Sequence, residues 1–482
     1  MTAMFRNDKL VLFAILCVAL ILRIIGLNQP LWYDELLTLY THLRLPWSEM
    51  MVGYEMNHHY LYSFQAKLLM GLWGESAWVL RPPALFFGVA SIWLIWVLVR
   101  QVSETRYAHI TAGLLALSYH HIWFSQNARG YTELMFWCVL GLILFLKGVS
   151  TPTRGTWIGF AIVLALAVFT HLTGFFFFFA IGVIWLAWSA IGVLRGRLEF
   201  HELKWPSLGF ILGGVFCLIL YAPILGSVFE NAATVGETSA VDAMKEFQNP
   251  VWTVLETVRT LVSGLGSFVG IIALAVLVLC ALGSFGLWRR AALFPLVIWA
   301  HIGLTMALLY ALGMRIWPRF FFVDIGFLFA LIVFGVAWVS TRLEAFIPAL
   351  PKTYLFRLGV VGMFVISAGL ATQNYRAPKQ DIPGPIDLIE ENLSAGEAVY
   401  AVGYVGGLYV DHIRSDWELI NSPETLATAI ENPASKWLVI GFPARSFREI
   451  EGLSSAIDGF ELVKRFPGTL GDGDMLVYRQ KS

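Results

Sequence analysis

Long apolar runs separated by short polar connections fill the chain as far as about residue 371, the pattern of helices that cross a bilayer. The first run, residues 10–27, follows Arg6 and Lys9. At about 1.5 Å per residue it covers roughly 27 Å, enough for a hydrocarbon core. It has no small-residue cleavage site, Arg23 sits near its far end and many runs follow it, so it reads as an uncleaved span and not a signal peptide. Further runs occupy residues 78–99, 108–122, 131–146, 157–170, 174–194, 208–221, 265–287, 292–312, 320–339 and 358–371. The expected fold is an all-α polytopic membrane protein of about eleven spans, with up to thirteen if closely spaced runs divide. Beyond residue 371, Pro, Gly, Asp and Glu become common and the runs shorten. Strand-like stretches at 398–402, 437–442 and 475–478 alternate with helical patterns at 423–431 and 444–457, which predicts a small α/β domain. The division expected is a membrane module over 1–373, with an outer loop at 28–77, followed by a soluble domain over 374–482.

Basic residues orient the module. With the N-terminus inside, the inner connections carry Arg100 and Arg106, Lys147 and Arg154, Arg195 and Arg197 with Lys204, Arg289 and Arg290, and Arg342, Lys352 and Arg357. Residues 60–74 are apolar but hold Gln65 and Lys67, and counting them as a span would put every later basic cluster outside. They are expected to lie along the outer surface as an interfacial helix. The segments at 28–77, 125–130, 222–264 and 314–319, the turn at His171 and the C-terminal domain then fall on the extracytoplasmic side of a plasma (inner) membrane.

Composition agrees with a membrane chain, at 58% hydrophobic and 14% charged. Lys+Arg and Asp+Glu balance at 33 each, which argues against a nucleic-acid partner. Cys17, Cys138, Cys217 and Cys280 all lie inside apolar runs without metal-ligand spacing, and read as packing residues.

The outer side collects the unusual polar groups. Asp34 and Glu35 follow Leu31-Trp32-Tyr33 at the end of the first span. Taken alone, the pair is an ordinary solvated-loop feature. On the same predicted side stand His58, His59, Arg81, His120, His121, Gln126, Arg129, Tyr131, His171, Arg315 and Arg319. Arg81 has a plain alternative as a snorkelling helix-end residue, and His171 as a hydrogen-bonded helix terminus. Adjacent histidines diverge by about 100° on a helix, so His58-His59 and His120-His121 are poor metal pairs, and a divalent metal stays open. Arg129, Arg315 and Arg319 are costly beside a bilayer and suit phosphate oxygens.

In order along the chain, these residues resemble the membrane glycosyltransferases of the GT-C type, in particular the branch of protein O-mannosyltransferases and the lipid A aminoarabinose transferase. The resemblance runs from Leu31-Trp32-Tyr33-Asp34-Glu35 through Asn57-His58-His59-Tyr60-Leu61-Tyr62, Val79-Leu80-Arg81-Pro82-Pro83-Ala84-Leu85 and Trp123-Phe124-Ser125-Gln126-Asn127-Ala128-Arg129-Gly130-Tyr131. Phe169-Thr170-His171 and Trp317-Pro318-Arg319-Phe320-Phe321 complete it. Many relatives have His-Pro-Pro or Lys-Pro-Pro where this chain has His58-His59-Tyr60, and the C-terminal domain carries no family motif. The resemblance implies transfer of a sugar from a polyprenyl-phosphate donor to a hydroxyl of a lipid, glycan or protein acceptor, without a defined cofactor. Asp34 would be the general base and Glu35 would position the acceptor or tune that base. Arg129, Tyr131, Arg315 and Arg319, with His58 and Arg81, would hold the lipid phosphate, and His59, Gln126 and His171 would line the pocket. A flippase or transporter is the rival reading, but it predicts charges at mid-span and two similar halves. A scaffold reading gives no reason for acids and arginines to gather on one side.

Overall fold

The computed structural model describes residues 2–53, 55, 58–227, 229–230, 249–250, 252, 269–347 and 351–481. Most of the expected outer loop at 222–264, and the start of the run at 265–287, lie outside the described residues. Two compact units are present. The first comprises Met1–Ile25, Trp47–Gly74 and Val79–Ala371, and the second Gly26–Pro46, Glu75–Trp78 and Thr372–Ser482. The first loop is thus divided between the units, and the stretch that carries Asp34 belongs to the second.

The first unit is helical: α1 (Thr2–Ile24), α3 (Tyr60–Trp73), α4 (Pro82–Val102), α5 (Thr105–Ala116), α6 (Tyr119–Ser125), α7 (Tyr131–Ser150), α8 (Arg154–Thr170), α9 (Gly174–Leu194), α10 (Lys204–Tyr221), α11 (Val269–Ala291), α12 (Leu293–Ala311), α13 (Ile325–Phe346) and α14 (Tyr354–Ala371). Among the described residues eight helical segments are long and apolar enough to cross a membrane. The predicted run at 174–194 coincides with α9, and 60–74 forms the separate helix α3. Helix starts follow local chemistry: Pro82 and Pro83 open α4 where no N–H is needed, and the Thr153 hydroxyl accepts the Thr156 N–H at 3.3 Å to cap α8. α11 and α13 approach closely through glycines. A Cβ on Gly283 would strike the Leu331 carbonyl, and one on Gly335 the Leu279 carbonyl, so only small residues permit this packing.

The run expected as one span over 108–122 is instead broken into α5 and α6. Ser118 ends the first by starting the second, its hydroxyl accepting the His121 N–H at 3.4 Å. A break among apolar helices leaves carbonyls that hydrocarbon cannot satisfy. Arg23 satisfies them. Its guanidinium is fully buried and donates to Ala116 O at 3.1 Å, Leu115 O at 3.4 Å and Ala19 O at 2.9 Å. It also meets Ser125 Oγ at 3.1 Å and His121 Nδ1 at 2.7 Å. Gln126 does the same for the end of α1, its amide donating to the carbonyls of Leu22, Arg23 and Ile25.

In the second unit, β1 (Ala398–Val402), β2 (Glu418–Ile420), β3 (Lys436–Gly441), β4 (Phe460–Phe466) and β5 (Met475–Gln480) form a sheet of order β2-β1-β3-β5-β4. β1 runs parallel to β2 and β3, while β5 is antiparallel to β3 and β4. β3 is buried along its whole length because both faces are covered. Alternation sends Val399, Ala401, Trp437 and Val439 into one core and Tyr400, Val402, Leu438 and Ile440 into the other. Helices α15 (Pro383–Asn392), α16 (Gly403–Leu408), α17 (Pro423–Glu431) and α18 (Pro443–Glu449) flank the sheet. The strand at 398–402 and the helix at 423–431 have the bounds the pattern predicts. Tyr33 and Leu36 of α2 (Tyr33–Thr38) pack against the first of the two cores.

Replacing Arg23 by Leu takes the guanidinium donor from the buried Ala116 carbonyl, at about 1–3 kcal/mol. Thermal unfolding of the purified protein should show a large loss of stability for Arg23→Leu and a smaller one for Arg23→Lys, which keeps a donor.

Candidate active site

In the first unit, helix ends deliver the polar residues. His59 caps the start of α3, His171 the end of α8, Tyr131 begins α7 and Arg129 lies in the turn before it. The His59 and His171 rings are 4.5 Å apart, and each packs on Tyr131, at 4.8 and 5.8 Å. The Arg129 guanidinium lies 6.0 Å from the same tyrosine ring. Gly130 allows this approach: a Cβ there would stand 3.0 Å from His59 Nδ1, 2.9 Å from Thr170 and 3.1 Å from Tyr62. His58, also buried, packs on Tyr60 at 4.0 Å. Arg319 sits on the short 3-10 helix Pro318–Asp324, its guanidinium 5.1 Å from the Trp317 ring centre.

The electrostatics are one-sided. Burial, then the charge of Arg129, holds His59 well below its ordinary pKa, with His171, His58 and Arg319 adding to the effect. His171 falls to about 3 by burial and then by Arg129 and Arg319. Both imidazoles are therefore neutral at physiological pH, and the positive charge is carried by guanidinium groups. His171 Nδ1 accepts the Thr173 N–H at 3.2 Å, which places its proton on Nε2. Among the described residues neither ring nitrogen of His59 has a hydrogen-bond partner, although both are buried. Guanidinium charge beside buried, neutral imidazole is suited to an anion.

Of the other predicted residues, Arg81 is fully buried immediately before α4, while the neighbouring Leu80 carbonyl accepts the Tyr62 hydroxyl at 2.8 Å. Arg315 is partly buried in the stretch ahead of the 3-10 helix. The Gln126 side-chain amide donates to the end of α1. Among the described residues no three His, Cys, Asp or Glu gather as a metal site would require.

The acidic pair stands in the second unit and its two members differ. Glu35 is buried, and its carboxylate accepts the Trp32 N–H at 3.2 Å, capping its own helix. Asp34 is half-buried, one residue further around the turn. Tyr33 donates its backbone N–H to Gln380 Oε1 at 3.3 Å and sets its ring edge-on to Phe442 at 5.4 Å. Burial, with Asp34 beside it, pushes the Tyr33 phenol up to about 12 against the opposing pull of Arg445, so it stays protonated.

Residues 57–226 match the family model described as dolichyl-phosphate-mannose-protein mannosyltransferase. No curated protein sequence is similar enough to count as a relative. Among solved structures, ArnT from Cupriavidus metallidurans bound to undecaprenyl phosphate aligns with a TM-score of 0.52 at 13% identity, over 100% of this chain and 99% of that one. The Archaeoglobus fulgidus oligosaccharyltransferase in complex with Zn and sulfate aligns with a TM-score of 0.57 at 13% identity, over 93% of this chain and 71% of that one. The same archaeal enzyme, AglB, with an inhibitory peptide and a dolichol-phosphate gives 0.50 at 14% identity, over 98% and 74%.

This chain has the GT-C fold. Within it, sequence reading missed several buried polar residues. Glu133, in the first turn of α7, accepts the Gln65 amide at 2.8 Å and the Trp137 indole N–H at 3.4 Å. His301 of α12 pairs with Asp324 at 3.0 Å, both buried, which ties α12 to the 3-10 helix that carries Arg319. An acid at the head of an apolar run, as Asp324 is, was the available signal for the second pair. In the second unit, Lys379 is buried beside Gln380, and nothing in the local sequence pattern distinguishes it.

Exposed histidine titrates near 6.5, whereas His171 titrates at about 3 in the folded protein. The unfolded state therefore binds more protons between these values, and stability present above pH 6.5 is lost as pH falls. Acidification from pH 7 to 5 should cost about 2 kcal/mol through this group, and a His171→Gln variant should show a correspondingly flatter profile of unfolding temperature against pH. Gly130→Ala, at an ordinary φ of −79°, should fail through crowding alone. Its expected cost is about 1–3 kcal/mol, read as a lowered unfolding temperature.

Proposed function

We propose that this protein transfers a sugar from a polyprenyl-phosphate donor to a hydroxyl of a lipid, glycan or protein acceptor on the extracytoplasmic face of the plasma (inner) membrane. The observation that carries the reading is the gathering of Arg129 and Arg319 around the buried, uncharged His59 and His171. Such a cluster offers fixed positive charge and neutral N–H donors to a phosphate. The bound undecaprenyl phosphate of ArnT and the dolichol-phosphate of AglB, on the same fold, support this class of donor. Basic residues at alternate connections support an N-terminus inside the cell.

In the proposed reaction the acceptor oxygen attacks the anomeric carbon while the bond from that carbon to the phosphate oxygen breaks. The acceptor proton passes to the Asp34 carboxylate, and the released phosphate keeps the bonding electrons as added negative charge. Arg129 and Arg319, joined by Arg315, stabilise that charge as it develops, with Tyr131, His58 and Arg81 as supporting groups. A single displacement inverts the anomeric configuration, unlike the double displacement of retaining enzymes. Glu35, spent on the helix cap, acts by holding Asp34 in place. The apolar tail of the donor stays in lipid, so only its phosphosugar must enter the polar pocket.

Purified protein reconstituted with labelled polyprenyl-phosphate sugars tests the assignment. Asp34→Asn should lower turnover by about 100- to 10,000-fold with donor binding retained, the range of a lost general base. Normal turnover in a folded Asp34→Asn protein would remove Asp34 from the mechanism.

A further inference from the structure

α2 has only six residues, and isolated helices below about 12–15 residues do not hold their shape in water. Something must fix it. The second unit does so at both ends of the segment that carries Asp34. At its start, Tyr33 is hydrogen-bonded to Gln380 and packed edge-on to Phe442, while Leu36 joins the core on one face of the sheet. After Thr38 the backbone widens into a π-helical turn, Leu39–Leu43. This turn lays Tyr40 flat on His412, with ring centres 4.9 Å apart and planes within 3°. The Arg44 guanidinium lies 4.3 Å from the centre of the Tyr40 ring and is itself paired with Glu75 at 2.7 Å.

The seat is a particular place in the sheet. β2 and β3 lie on opposite sides of β1, so the carboxyl ends of β1 and β3 form a topological switch point, where α/β sheets open a ligand crevice. Here the connections are drawn tight. Gly403 takes φ +69 directly after β1, and a Cβ on it would strike Ser446 Oγ at 2.7 Å. Ser446 in turn donates to the Gly441 carbonyl at 2.8 Å. Phe442, directly after β3, has a left-handed backbone at φ +45, unusual for a bulky residue. Asp472 secures this turn by accepting the N–H groups of Ala444 and Arg445 at 3.0 and 3.1 Å. Arg445 lies 3.5 Å from the Tyr404 ring centre and pairs with Glu449, which stiffens the same corner. A glycine would adopt the Phe442 backbone without strain. What Phe442 adds is a ring, and that ring faces Tyr33.

We propose that Phe442 and His412 are positioning residues: the α/β unit uses its switch-point crevice to seat the Asp34 helix and so fixes where the acidic side chain points. The inference rests on Asp34 being the base, and it gives the C-terminal domain a part in the reaction without contact with a reacting atom. Displacing a base by about 1 Å costs on the order of 100-fold in rate, so a seat of this kind is felt in turnover before it is felt in binding.

The test uses the full-length protein in lipid nanodiscs, with Phe442→Gly, which suits the left-handed backbone but lacks the ring, and His412→Ala as an independent second variant. Hydrogen exchange over residues 32–43 should accelerate by about tenfold, the worth of one lost aromatic contact. Turnover should fall by about 10- to 100-fold. The dissociation constant for undecaprenyl phosphate and the exchange of β1 and β3 should stay at wild-type values. Phe442→Tyr, which keeps a ring, should restore both exchange protection and turnover. Wild-type exchange at 32–43 in both variants overturns the proposal, as does a loss of turnover matched by an equal loss of donor binding. If wild-type protein transfers no sugar from any polyprenyl-phosphate donor tried, the glycosyl-transfer reading fails, whereas the exchange measurement still decides the seat.

Discussion

A buried guanidinium at the end of α1 is the interaction on which the membrane unit's geometry depends. In a bilayer, a helix end that is not at the surface leaves carbonyls without partners, and each is expensive to abandon. Arg23 donates to carbonyls of its own helix and of the end of α5, and meets His121 and Ser125 of α6. That permits the break between α5 and α6, a turn no apolar run would make by itself. The chain then arrives at Gln126 and Arg129 with a defined direction, and Gln126 closes the arrangement by capping α1 in return. The arginine that approaches the histidine pair is therefore placed by one that serves structure alone.

This division explains why so many ionisable groups can share a dry site. Guanidinium groups keep their charge when buried, whereas imidazole gives it up, so a mixed cluster settles into charged arginines and neutral histidines without mutual repulsion. In the proposed reaction this arrangement would let an anion be attracted by Arg129 and Arg319 and met by imidazole N–H at close range. Gly130 is the steric condition for it, because the turn between α6 and α7 must pass within contact of His59 and Thr170.

Much of the architecture was legible because both environments impose simple periodicities. A long continuous apolar run marks α9 with the bounds observed, and a short apolar run marks β1 in the same way. The misses share a cause. The 108–122 run hides a break because Ser118 can end a helix only when a distant residue, Arg23, accepts the consequences. Gln126 reads as a pocket residue from its neighbours Arg129 and Tyr131, and its amide also donates to carbonyls about a hundred residues earlier in the chain, which no local pattern shows. His301 and Asp324 lie in separate runs, and only the fold pairs them. The first loop reads as one segment along the chain, but Gly26–Pro46 folds with the C-terminal sheet and Trp47–Gly74 with the helices. Local pattern carries no signal for such long-range satisfaction of polar groups.

The acidic pair itself shows how far a dipeptide can be read. Adjacent residues on a helix point about 100° apart, so two acids in sequence cannot do the same thing. Glu35 turns inward and closes the first turn on the Trp32 N–H, which keeps a six-residue helix from fraying. Asp34 is left on the more exposed side, its backbone carbonyl held by the Thr38 hydroxyl at 2.9 Å. Tyr33, immediately before it, stays protonated and so adds no second negative charge next to the carboxylate. The three consecutive residues thus differ in what they do for the segment: Tyr33 anchors it, Glu35 caps it, and Asp34 is the one the proposed reaction uses.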